Sequence, residues 1–144
     1  MATFLVVYEF GNKVADEVHD LAADTFKAVL TNTAPTQAGS AVLADITQIA
    51  NGNGYTTGGV TLSGVTFAET GAGTGIWEFD SSPFSWTASG GSIATFRYVV
   101  VYNDTAANDE LVGYADYGSA VNVSDGTSFT VTPGANGIFR ITVS

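Results

Sequence analysis

The sequence predicts a mainly β chain: an antiparallel β-sandwich or jelly-roll-like fold with one or two short helices in its N-terminal third. Three observations carry this expectation. From Tyr55 onward, short runs rich in Val, Thr, Phe and Tyr alternate with Gly-rich or Asn/Asp turns, at the roughly 8–12-residue spacing of sandwiches and barrels. No long helical period returns after that point. Ahead of it, apolar residues at helical spacing occur only in two short stretches.

Taken in order, TFLVVYEF (Thr3 to Phe10) reads as a first strand. GNKVADEVHDLAADTF then places Val14, Val18 and Leu21 at i, i+4 and i+7, with Asp16, Glu17 and Asp20 elsewhere on the wheel. That pattern is an amphipathic helix of about three turns. TFKAVLTNT (Thr25 to Thr33) returns to strand chemistry, and Pro35 with Thr36 to Ser40 forms a loop. SAVLADITQIANGNG reads as a short helix, with Ser40 as cap, Val42, Leu43, Ile46 and Ile49 as apolar face, and Gly52 as stop. Later strands lie in GVTLSGVTFAET, GIWEFDSS, FSWTASG, ATFRYVVVY, ELVGYADYG, NVSDGTSFTV and GIFRITVS. Asp125-Gly126 between short apolar runs is the signature of a tight hairpin turn. No repeat, linker or low-complexity tail divides the chain, so residues 1–144 are expected to form a single domain, a β-sandwich with N-terminal helix insertions.

A folded chain of 144 residues removes roughly two-thirds of its unfolded surface from water, enough for a real core. Charged residues make up 12%, about half the roughly 25% of an average domain; such uncharged polar surface suits contact with other subunits. The net charge is −10, and the four basic residues, Lys13, Lys27, Arg97 and Arg140, are scattered. A phosphate-tracking surface needs clustered Lys and Arg, so no nucleic-acid partner is expected. Anionic membranes repel such a chain, and no apolar run reaches the roughly 18 residues of a membrane span. The opening MATFLVVYEFGNK lacks a basic n-region and cleavage site, and so does not read as a signal peptide. Without Cys there is no disulfide framework or thiol chemistry, and synthesis in the cytoplasm is the default.

Candidate chemistry is sparse, and neither a catalytic residue nor a cofactor is expected. The single His19 sits at the polar boundary of the first helix, where a packing or solvated role outweighs a place in a triad. GGSIA (Gly90 to Ala94) imitates a nucleophile elbow without its last glycine. GAGTGIWEF leads into a strand, so no helix N-terminus would meet a phosphate, and NGNGYTTGG reads as a turn. Glu78 and Asp80 share one face of a strand, the solvent face by the simpler reading. Trp77, Trp86, Tyr98, Tyr102, Tyr114 and Tyr117 would make a sugar-stacking platform if exposed together, but their alternation with small or polar residues favours core and interface positions. Asn103, Asp104, Asn108, Asp109 and Glu110 offer oxygen ligands to calcium, yet their spacing fails the helix–loop–helix pattern and suits a turn.

Three stretches, DTFKAVLTNTAP, VLADITQIANGNGYTTGG and FRYVVVYNDTAANDELVGYADYGSAVNVSDGTSFTV, in this order and spacing, resemble a group of small tailed-bacteriophage virion proteins of the capsid decoration or cement kind. The resemblance covers most of Asp24 to Val131 and carries no catalytic motif. It implies a non-enzymatic subunit, often a homotrimer, that binds the major capsid protein on the outer face of the virion and reinforces the shell, after assembly in the host cytoplasm. The competing reading is a carbohydrate-binding or adhesive β-module of the virion surface or tail. Within the assembly reading, the N-terminal strand has few charges to blunt edge pairing, which makes Phe4, Val6, Val7 and Tyr8 the expected interface.

Overall fold

The computed structural model describes residues 1–144, and antiparallel β-structure dominates it as the sequence predicts. Ten strands follow in chain order: β1 (Phe4–Val6), β2 (Phe26–Thr31), β3 (Val60–Thr61), β4 (Thr66–Glu69), β5 (Ile76–Asp80), β6 (Phe84–Thr87), β7 (Ile93–Asn103), β8 (Leu111–Val123), β9 (Ser128–Val131) and β10 (Phe139–Thr142). One helix, α1 (Glu9–Ala15), separates β1 from β2. The strands form a five-stranded sheet in the order β1-β8-β7-β2-β3, a three-stranded sheet β10-β5-β4, and a ribbon β6-β9.

The β7–β8 hairpin is the axis of the fold. Val99, Val100 and Val101 are all buried, because β7 lies between β8 and β2 and carries apolar side chains on both faces. Directly opposed pairs show which residues share a face: Phe26, Ala28 and Leu30 of β2 stand beside Asn103, Val101 and Val99 of β7. That face meets the three-stranded sheet, where Phe26 packs edge-on against Phe79, with centroids 5.1 Å apart. The ribbon closes the other end by setting Phe129 edge-on against Phe96 at 4.9 Å and Tyr117 at 5.2 Å. The result is sandwich-like, with one contiguous apolar core reaching all three sheets.

The N-terminal third departs from the expected elements. The predicted first strand ends at Val6, and the chain is helical from Glu9. Glu9 in the first turn and Lys13 in the last suit the helix dipole. The helix ends seven residues on, well short of Leu21. Glu17 adopts φ 60 while its N–H bonds Val14 O at 3.2 Å and the Val18 N–H bonds Lys13 O at 2.8 Å. This is a Schellman ending with glutamate in the place glycine usually takes, after which His19 stacks on Phe10 of the helix.

The predicted second helix is also absent; a single 3-10 turn at Leu43–Asp45 replaces it. Both flanks of that turn are claimed by strand edges. The Leu111 N–H donates to Ala41 O and the Leu43 N–H to Asp109 O, each at 2.9 Å. Downstream, Gln48 bridges Thr31, and the Ile49 N–H donates to Leu30 O at 3.0 Å. The Asp45 carboxylate, not Ser40, accepts the Ala41 and Val42 N–H groups, at 2.9 and 3.1 Å; these bonds hold its pKa below the ordinary carboxylate value. Ser40 instead accepts from the Thr36 N–H, and Gly52 closes a small turn with Tyr55.

Asp125-Gly126 does lie in a turn, closed by the Thr127 N–H on Ser124 O at 2.9 Å. It joins strands of different sheets, however: β8 pairs with β7 and β1, whereas β9 pairs with β6. The tight hairpin expected there is therefore not formed. Gly113 matters for a different reason. It faces Val6 across the β1–β8 ladder, and a Cβ there would press on the Leu5 carbonyl oxygen and come within 2.6 Å of the Phe4 ring. Gly113→Ala should therefore cost about 1–3 kcal/mol by overpacking and loosen β1 first, seen as faster amide exchange in residues 4–7 than in β7.

Candidate functional site

The open edge of the five-stranded sheet is the leading candidate for contact with another molecule. β8 is the only strand paired with β1, over Gly113 to Ala115, although β8 runs on to Val123. Beyond Asp116 that flank of β8 has no strand beside it. Gly118, Ser119, Ala120 and Asn122 along it are exposed and uncharged. Edge strands are usually blunted by charge or cover. Here cover is local: the Gln37 side chain donates to Val6 O at 2.8 Å, and the Tyr8 N–H donates to Gln37 O at 2.9 Å.

The four residues expected to form an interface part company along this edge. Phe4 turns inward and stacks on Phe139, with centroids 6.0 Å apart and planes 11° from parallel. Val6 is half-buried against the core. Val7 is 2% exposed and donates its N–H to Val112 O, so it is a core residue and not a surface one. Tyr8 is 69% exposed, and Leu5, which the sequence did not single out, is 37% exposed. Leu5 and Tyr8 are thus the apolar side chains that the edge offers outward.

The acidic stretch at the end of β7 is occupied by its own turn and by neighbouring elements. Asn103 is fully buried, and its Oδ1 accepts the Thr105 and Ala106 N–H groups at 2.9 and 3.2 Å. Glu110 accepts the backbone and side-chain N–H of Asn108 at 3.2 and 3.1 Å. Burial raises the Glu110 pKa, but these bonds outweigh it and hold the group below its ordinary value. Asp104 pairs with Lys27 at 3.0 Å. No group of three or more His, Asp or Glu side chains is arranged to hold a metal ion.

The remaining candidates are similarly occupied. Glu78 pairs with Arg140 at 2.7 Å, and Asp80 accepts the Ser81 N–H, so no two-carboxylate cleft forms. Trp86 is 2% exposed and belongs to the core with Tyr98, Tyr102 and Tyr114. Trp77 alone of the two tryptophans reaches the surface, stacked on Phe67 at 5.6 Å. The candidate aromatics therefore share no platform. Beside Phe67, a cavity of about 470 Å³ opens toward Val14, Glu17, His19 and Asp20.

His19 is the residue that sequence reasoning placed least well. It is 5% exposed, not at a solvated boundary. Its ring stacks on Phe10 at 5.4 Å, and Nδ1 lies 3.1 Å from the Asn103 side-chain nitrogen. Its Nε2 and the Trp86 Nε1 are the two buried side-chain atoms without a hydrogen-bond partner. Burial pushes the imidazole pKa below 6.5, against the opposing pull of the Leu111 backbone and the Glu110 and Asp24 carboxylates.

No family model, curated protein or solved structure matches the chain. No helix is long and apolar enough to cross a membrane.

Proposed function

We propose that the chain is a non-enzymatic structural subunit of a bacteriophage particle, a capsid decoration or cement protein that binds the major capsid protein from outside and stabilises the shell. The observation that carries this reading is where the three phage-like stretches fall. Asp24 to Pro35 supplies β2, Val42 to Gly59 supplies the segment pinned to the start of β8 and the edge of β2, and Phe96 to Val131 supplies most of β7 with β8 and β9. Together they form one scaffold, whose far side is the uncharged edge at β1 and β8. That edge, with Leu5 and Tyr8, is the contact surface in the assembled homotrimer or on the shell, and the mature location is the outer surface of the virion.

Lysine at both Leu5 and Tyr8 tests this directly. Substitutions at such exposed positions change stability by about 0.5 kcal/mol each or less. Loss of a central aromatic contact costs about 2 kcal/mol or more, a roughly 30-fold weaker complex. The double variant should keep the unfolding midpoint and lose co-sedimentation with the cognate shell. A second reading, a carbohydrate-binding module of the virion surface, draws on the exposed Trp77 stacked on Phe67. A wild-type monomer that ignores shells but binds immobilised glycans, and loses them in Trp77→Ala, would replace the first reading with the second.

A further inference from the structure

Two side chains of the segment after α1, His19 and Asp24, meet a third from the end of β7, Asn103. Asn103 Oδ1 accepts from the Thr105 and Ala106 N–H groups, which fixes the orientation of the amide. Its nitrogen therefore points the other way, toward Val18 O at 3.2 Å, Asp24 Oδ2 at 2.6 Å and His19 Nδ1 at 3.1 Å. The amide has two hydrogens for these three acceptors and its nitrogen accepts none, so a proton on Nδ1 would find no acceptor there, and the single proton of the neutral ring belongs on the buried, unpartnered Nε2. Protonation would add an N–H at Nδ1 directed at another N–H group. Donor would face donor inside a buried contact, so the closed arrangement disfavours the charged ring.

We propose that His19, Asn103 and Asp24 form an acid-released latch, which ties the segment after α1 to the β7–β8 hairpin while the imidazole is neutral and lets it go when the ring takes a proton. The latch joins positions 84 residues apart in sequence and holds the glutamate-ended turn at Glu17. Its release uncovers Phe10 and Leu21, both buried in the closed state, beside the cavity that Phe67 already lines.

The charges around the ring come from every neighbouring element. α1 contributes Lys13, the segment after it Asp24, and the start of β8 Glu110; Glu17 and Asp20 line the same cavity, and β4 contributes the uncharged Phe67. Burial outweighs the two carboxylates, so the closed state binds a proton more weakly than the open one. The sign follows. The latch is fully closed above the open-state pKa of about 6.5 and weakens as pH falls below it. One proton is taken up on opening, so the opening constant rises by up to tenfold per pH unit until the closed-state pKa is reached. The geometry holds whatever the edge at β1 binds.

Hydrogen exchange on the whole chain, corrected for intrinsic rates and run from about pH 7.5 to about pH 5, tests the latch. Residues 16–24 and 103–110 should open more in acid in the wild type, whereas His19→Gln, which retains an acceptor but cannot titrate, should show no such rise. A flat wild type, or a variant with the same pH dependence, would overturn the proposal. The chain has one histidine, so ring nitrogen shifts give an unambiguous second readout in the wild type even where the variant folds poorly. They should show the Nε2–H tautomer near neutral pH and a midpoint below 6.5. The Nδ1–H tautomer, or a midpoint at or above that value, would equally defeat the latch.

Discussion

Val7→Lys should destabilise the chain by about 3–5 kcal/mol, the cost of placing an unpaired charge in a core. In a chain of this size that lowers the thermal midpoint by about 10 °C or more, read by far-UV circular dichroism. The expectation rests on Val7 being 2% exposed, within the same cluster as Phe10 and Val112. Its neighbour Tyr8 is 69% exposed, and Tyr8→Lys should leave the midpoint almost unmoved. Adjacent positions thus separate folding from attachment. Val7 belongs to the interface after all if Val7→Lys keeps the wild-type midpoint but abolishes shell binding.

That contrast shows what the N-terminal sequence withholds. TFLVVYEF is apolar enough for a strand, and β1 does form at the sheet edge, but which side chains face inward depends on a partner far along the chain. Phe4 is turned in because Phe139 lies opposite, and Val7 is enclosed because the chain bends into α1 immediately after it. The β7–β8 hairpin is legible for the opposite reason: its β-branched and aromatic run is long, and its turn is local. β2 is legible from its apolar composition alone, although both its partners are distant in sequence.

Helix boundaries failed where non-local bonds decided them. The stripe of Val14, Val18 and Leu21 has helical spacing, yet the helix stops at Ala15 through a left-handed Glu17, a conformation that costs roughly 1–2 kcal/mol without glycine. Nothing in the local sequence announces it. The bond Val18 O accepts from Asn103 and the His19 contact both come from a residue more than eighty positions away. Likewise, residues 41–49 have an apolar period compatible with helix, but pairing to β8 at one end and β2 at the other extends them. The candidate edge was readable as an uncharged strand; for His19 the packing alternative holds, but its partner Asn103, 84 residues away, was not readable.

Asn103→Ala should cost about 3 kcal/mol in urea unfolding, more than any other single change in the acidic turn. The side chain is fully buried and serves two backbone donors of the turn with its oxygen. Its nitrogen serves Val18 O and Asp24 on the segment after α1. Each bond contributes about 1 kcal/mol net, and each buried group left unpaired costs about 1–3 kcal/mol. Asn103→Asp separates the two halves of that role. It preserves the acceptor that organises Thr105 and Ala106 but sets a carboxylate oxygen where the amide nitrogen lay 2.6 Å from Asp24 Oδ2. At neutral pH like charges would then face each other in a buried site, so aspartate should be worse than alanine. Protonating one carboxyl of the pair supplies the missing donor, so the aspartate variant should gain on the alanine variant as pH falls toward the carboxylate range. Alanine costing under 1 kcal/mol, or aspartate matching wild type near pH 7, would mean that Asn103 is an ordinary turn residue, without the bridging role that its two sets of bonds describe.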